Sequence, residues 1–109
     1  MIARIWRGTV RESDQDAYYA YLQQTGLKEY ASTRGNRGVY TLRRVADGQC
    51  EFLLLTLWDS WEAIKAFAGP DYGKAVYYPE DEKFLLSLEP HVTSEWRKLR
   101  NAGWGKPRL

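Results

Sequence analysis

Cys50-Glu51-Phe52-Leu53-Leu54-Leu55-Thr56-Leu57-Trp58 is the stretch on which the architecture turns. Its even positions carry Phe52, Leu54, Thr56 and Trp58, and its odd positions carry Leu53, Leu55 and Leu57. Side chains alternate between the two faces of a strand, and a half-exposed antiparallel strand alternates apolar with polar. Here both sets are apolar. The sheet that contains this strand therefore needs cover on both faces.

Upstream, Val39–Val45 reads as a second strand, joined to the first stretch by Ala46-Asp47-Gly48-Gln49, a hairpin connection containing Asp-Gly. Gly35-Asn36-Arg37-Gly38 is a turn. Downstream, Asp59 with Glu62 three residues on has the form of a capping box. Trp61, Ile64, Phe67 and Ala68 supply the apolar stripe of the helix it opens, and Gly69-Pro70 ends it.

Residues 2–11 form a strand with Ile5, Trp6 and Val10 as β-favouring members. Ser13 caps a following helix with Asp14 and Asp16 in its first turn and Ala17, Tyr18, Tyr21, Leu22 and Thr25 along its stripe. Gly26 weakens or bends that helix before Leu27–Tyr30. Tyr72–Tyr78 is an aromatic loop. Pro79, at a first helical position, leads a short helix carrying Phe84, Leu85 and Leu88, and a last strand runs over His91–Leu99 after Pro90.

The order β-α-β-β-α-(short α)-β is an α+β, ferredoxin-like arrangement of split βαβ units with an antiparallel sheet. Both long helices cover one face. Apolar residues on the other face would form an exposed patch in a monomer, and two-fold pairing with a second copy removes it. A homodimer is expected.

The 109 residues make one domain. Residues 97–109 hold five basic and no acidic side chains, so residues 1–96 carry 11 basic against 14 acidic, a net −3. The basic tail reads as a solvated end to a domain spanning 1–96, not as a nucleic-acid surface. A single cysteine, Cys50, permits no internal disulfide and reads as an inert small residue in a reducing compartment. No apolar run approaches the ~20 residues of a membrane span, and a cytoplasmic protein is expected. Five Trp and eight Tyr exceed what a small core needs, which points to a ligand pocket or an interface as well.

The element order, with Ile2-Ala3-Arg4-Ile5-Trp6-Arg7-Gly8, Leu57-Trp58-Asp59-Ser60, Ala66-Phe67-Ala68-Gly69 and Tyr77-Tyr78-Pro79-Glu80-Asp81, resembles the antibiotic biosynthesis monooxygenase superfamily of dimeric α/β-barrel proteins. The resemblance covers residues 1 to 96. It implies a cofactor-independent monooxygenase-like protein acting on a small phenolic, quinol or polyketide-type aromatic. The family also contains haem-degrading enzymes and proteins without known activity, so a non-catalytic ligand-binding or stress-related dimer is the other function it allows. The haem-degrading branch carries an asparagine on strand one and an axial histidine after helix two. The matching places here hold Arg7 or Trp6 and Tyr77, and the His-Tyr-Glu-like run of many members' last strand is replaced by Val92-Thr93-Ser94-Glu95-Trp96. Neither haem nor any other cofactor is expected.

The sequence has no phosphate-binding glycine loop, no Cys/His cluster and no nucleophile elbow, and one His with one Cys makes no metal-ligand set. Chemistry is left to Tyr, Trp, Arg, carboxylates and His91. His91 is the natural general base, or else a surface histidine after Pro90. Trp58 is a core tryptophan or the wall of a pocket between sheet and helices. Tyr72, Tyr77 and Tyr78 cover the helix layer or form a lid whose hydroxyls orient a phenol. Arg4 and Trp6 share one face of strand one, where Arg4 holds a phenolate or enolate or sits at an interface or rim. The expected catalytic residues are thus Trp58, Tyr72 and His91, with Arg4, Trp6, Phe67 and Tyr77 binding substrate.

Overall fold

In the computed structural model of the chain, whose described residues are 1–88 and 91–97, the doubly apolar stretch is strand β3 (Gln49–Trp58). Strand β1 (Ile2–Arg11) leads through a 3-10 turn into helices α1 (Gln15–Gln24) and α2 (Gly26–Ser32). Strand β2 (Asn36–Ala46), β3, helix α3 (Trp61–Ala68), the four-residue helix α4 (Asp81–Phe84) and strand β4 (Thr93–Arg97) follow. The sheet order is β2-β3-β1-β4, with antiparallel pairing at each junction. This is the expected α+β, ferredoxin-like topology. The Asp47-Gly48 connection adopts positive φ at both residues (54° and 75°), as a two-residue hairpin turn between right-twisted strands demands.

The parity of β3 sorts the sheet. Cys50, Phe52, Leu54, Thr56 and Trp58 are buried under the helices, whereas Leu53, Leu55 and Leu57 are half-buried on the opposite face. Registers Ile5↔Leu55, Tyr40↔Leu55 and Leu42↔Leu53 continue that second face across β1 and β2, and Ala3↔Trp96 continues it onto β4. Tyr40 (57 %), Leu42 (56 %) and Trp96 (61 %) stand open to solvent there. The helix-side core is built from rings. Tyr18, Tyr30, Phe52, Trp58 and Phe67 are all buried and meet in edge and tilted contacts.

Gly8 is one place where the sequence has no freedom. Its backbone lies beneath the Trp6 ring and Leu85, and an added Cβ would collide with the Trp6 ring and come 2.8 Å from Leu85 Cδ2. Gly8→Ala is expected to destabilise the domain by about 1–3 kcal/mol through overpacking, measured as a lowered urea midpoint at unchanged slope.

Local signals were offset in several places. Ser13 lies in the 3-10 turn, and α1 begins at Gln15 without a side-chain cap because the Asp14 carboxylate turns to Arg11 (3.7 Å). The break between α1 and α2 falls at Thr25 (φ −118°, ψ −96°), whose hydroxyl donates to Tyr21 O (2.8 Å). Gly26 then opens α2, buried beneath the Tyr30 and Tyr78 rings.

At α3 the cap is Ser60, which accepts from Ala63 N (3.2 Å); Asp59 is drawn off by Arg37 (2.7 Å), so no Asp59–Glu62 box forms. The short last helix stops at Phe84. Leu85 instead bridges to Val10, and Leu88 is exposed. Ala17 is exposed too, so the buried stripe of α1 narrows to Tyr18 and Leu22. The described part of the last strand is Thr93–Arg97; Pro90, Leu99 and the basic tail beyond Arg97 lie outside the described residues.

Candidate functional site

Arg4 and Trp6 sit two residues apart on the helix-side face of β1, 1 % and 4 % exposed. Opposite Arg4 in the register is Thr56. Its hydroxyl donates to Arg4 O (3.2 Å) and accepts from Trp58 Nε1 (2.8 Å), which orients the Trp58 ring. That ring lies against Tyr30 (6.1 Å) and Phe67 (5.8 Å), and the Arg4 guanidinium stands 5.5 Å over the Phe67 ring. Burial pulls the Arg4 pKa below the ordinary guanidinium value, and the Tyr30 hydroxyl opposes that. Burial likewise pushes the Tyr30 phenol up, with Arg4 opposing. A guanidinium keeps its proton regardless, so Arg4 is a buried cation. Among the residues whose side chains are described, no carboxylate pairs with it.

A strap, residues 69–80, closes this layer. Gly69 turns it away from α3 at φ 85°, donating to Lys65 O (2.7 Å). Arg4 Nη2 donates to Lys74 O (3.1 Å), and Val92 N donates to Gly73 O (3.0 Å) beside a Lys74–His91 bridge. Farther along, the Tyr78 hydroxyl bonds Glu29, and Glu80 N donates to the Tyr21 hydroxyl (2.9 Å). The strap ends on Asp81, a buried carboxylate that accepts from the Tyr18 hydroxyl (2.8 Å) and from Tyr78 N (2.6 Å). Burial first, and Asp81 second, drive the Tyr18 pKa up, so this phenol stays a donor. Tyr18→Phe strands one Asp81 oxygen and is expected to cost about 1–3 kcal/mol in urea denaturation. Tyr72→Phe removes only a half-buried hydroxyl and is expected to change stability by less than about 0.5 kcal/mol.

Of the residues expected at the site, Arg4, Trp6, Trp58 and Phe67 lie together between sheet and helices, and Tyr77 reaches the Trp6 ring edge-on (6.2 Å) from the strap. Tyr72 lies elsewhere, on Trp61 (5.3 Å) with Lys65 Nζ 5.6 Å from its ring. His91 is exposed, and its backbone pairs with Lys74. The sequence reading did not single out Tyr30, Thr56 or Ser94. Thr56, the one hydroxyl among the helix-side positions of β3, carried a usable signal. Ser94 carried none, because it is the β1–β4 register shift between Ala3 and Ile5 that puts residues 94 and 95 opposite Arg4.

Two open clefts lie away from Arg4. One, of about 310 Å³, is lined by Asp16, Tyr19, Arg43 and Phe52; the other, of about 580 Å³, by Arg34, Arg37, Asp59 and Ser60. Among the described residues, no cluster of three His, Cys, Asp or Glu side chains is placed to hold a metal ion, and no helix is long and apolar enough to cross a membrane.

No family model matches the chain, and no curated protein matches it significantly. Its fold is that of a solved structure, a candidate antibiotic biosynthesis monooxygenase from Bacillus cereus. The match has a TM-score of 0.56 at 14 % identity, over 92 % of this chain and 95 % of that one.

Proposed function

We propose that this chain is a homodimeric, oxygenase-like protein that binds a small planar phenol or quinol between sheet and helices. It works there with dioxygen and without a resident cofactor. The observation that carries this reading is Arg4: a buried cation with no carboxylate partner among the residues whose side chains are described, set over an aromatic ring and beside two tryptophans. A cation desolvated in this way stabilises an anion far more than it would in water. A phenol or anthrone that ionises against it becomes electron-rich enough to reduce dioxygen. For an anthrone-type methylene, one CH₂ and one O₂ give one ketone and one water. The protein's contributions are to hold the anion, exclude water and supply aromatic walls.

Oxygen uptake with 1,8-dihydroxy-9-anthrone tests this. Uptake well above the buffer rate, with one quinone formed per O₂, is expected, and it should vanish in folded Arg4→Met. Uptake no faster than buffer would refute turnover. A non-catalytic binding protein is the second reading, and the exposure of His91 favours it, since that histidine is not buried with the rings. Saturable, Arg4-dependent binding of the anthrone without oxygen uptake would establish it.

A further inference from the structure

Buried polar groups in folded proteins are nearly always hydrogen-bonded, and the exceptions call for a reason. Among the described residues, the buried side-chain polar atoms that lack a partner are Nε and Nη1 of Arg4, Nε1 of Trp6 and Oγ of Ser94. All of them belong to one strand pair, β1 and β4. The other buried polar side chains behave differently. Trp58 Nε1 donates to Thr56, the Thr56 hydroxyl donates to Arg4 O, and Tyr18 donates to Asp81. The shortfall is therefore local, and it lies beneath the strap.

The three residues differ in what they ask of a partner. Arg4 offers only donors and a positive charge, Trp6 offers a single neutral donor, and Ser94 offers a hydroxyl that can do either. Arg4 and Trp6 point to the same face two residues apart, so their Cα atoms are roughly 7 Å from each other along the strand. Ser94 falls in the register shift opposite Arg4. A ring surface accompanies each of the two donors: Phe67 under Arg4 and Tyr77 against Trp6.

We infer that the ligand of this site is a planar aromatic carrying two separated oxygen functions, an acidic one held by Arg4 and a neutral acceptor, such as a ketone, held by Trp6 Nε1. The inference deepens the phenol-binding reading above and rests on it. Amines and other cationic rings are excluded by the charge on Arg4. An aromatic with one oxygen function leaves either the Arg4 donors or Trp6 Nε1 stranded. Entry requires the strap to lift, because Arg4 and Trp6 are sealed and Arg4 itself ties the strap down through Lys74 O.

Calorimetric titration with three probes tests this: 6-acetyl-2-naphthoate, which has both functions; 2-naphthoate, which has only the acid; and 2-acetylnaphthalene, which has only the ketone. The two-function probe is expected to bind roughly tenfold tighter than either of the others, the worth of one added buried hydrogen bond. Trp6→Phe should erase its advantage over 2-naphthoate, and Arg4→Met its advantage over 2-acetylnaphthalene, with folding of both variants confirmed by melting. Should Trp6→Phe fail to fold, the wild-type ranking decides alone. Equal affinity for 6-acetyl-2-naphthoate and 2-naphthoate, or an advantage that survives in Trp6→Phe, overturns the two-point inference. In either case Arg4-dependent binding of 2-naphthoate would leave the anion-binding function standing. No binding of either naphthoate at millimolar concentration overturns both.

Discussion

Arg4→Met is expected to make the folded chain more stable while ending the binding of 2-naphthoate. Arg4 is 1 % exposed, donates to Lys74 O and stands over the Phe67 ring, with the Tyr30 hydroxyl also acting on it. Its donors Nε and Nη1 have no partner among the described residues. The desolvation penalty of a buried ion amounts to several kcal/mol, and replacing such charges with apolar side chains of similar volume has been worth about 1–4 kcal/mol. Against this, the Lys74 carbonyl loses its donor, which offsets about 1 kcal/mol. A net gain of about 1–3 kcal/mol is expected in urea denaturation, with a melting temperature raised by several degrees. Binding of 2-naphthoate, whose acid is its one polar anchor, should fall below detection in the same variant. A clear loss of stability would instead make Arg4 a structural anchor of the strap and remove the main support for an anion site. The combination of higher stability with lost binding is the usual mark of a group retained for function.

Leu55→Lys is expected to abolish the homodimer. Leu55 is central on the face away from the helices, flanked in register by Ile5 on one side and Tyr40 on the other. If two copies cover this face with each other, a lysine there buries an unpaired charge from each copy, a penalty of several kcal/mol apiece. Dissociation should tighten the sedimenting species to the 12.7 kDa chain mass, against twice that for the unaltered protein. The dissociation constant is expected to rise by at least ~1000-fold. Because Leu55 is only half-buried within its own chain, the monomer should stay folded. An unaltered chain that sediments at 12.7 kDa at micromolar concentration would defeat the dimer proposal.

What the sequence made legible was whatever depends on periodicity. The alternation in β3 announced a sheet with two apolar faces, and the Asp47-Gly48 pair announced the hairpin; both are set by neighbours two to four residues apart. Helix starts were read one or two residues away from where they fall, and the last helix, read through Leu88, ends at Phe84, because long-range partners compete for these groups. Arg37 takes Asp59, so Ser60 becomes the cap, and Leu85 leaves α4 to pair with Val10. At the candidate site, the shared face of Arg4 and Trp6 was readable from their spacing alone. That Tyr72 turns to Trp61, and that Ser94 falls opposite Arg4, depends on the course of the strap and on a register shift between strands distant in sequence. No local pattern encodes either.

The strand order also bears on biosynthesis. β1 is an interior strand, flanked by β3 and β4, yet in chain order it precedes both of them. A ribosome adding residues at roughly 5–20 per second presents Ile2–Arg11 seconds before Gln49–Trp58 exists to pair with it, and later still for Thr93–Arg97. The β2–β3 hairpin, by contrast, closes on itself as soon as it is made, within microseconds. The nascent chain thus carries an unpaired strand with Ile2, Ile5, Trp6 and Val10 uncovered, waiting for a preformed hairpin to dock on it. Arg4, Arg7 and Arg11, interspersed among those apolar residues, keep that waiting strand charged while it has no partner, a placement that discourages premature pairing with neighbouring chains.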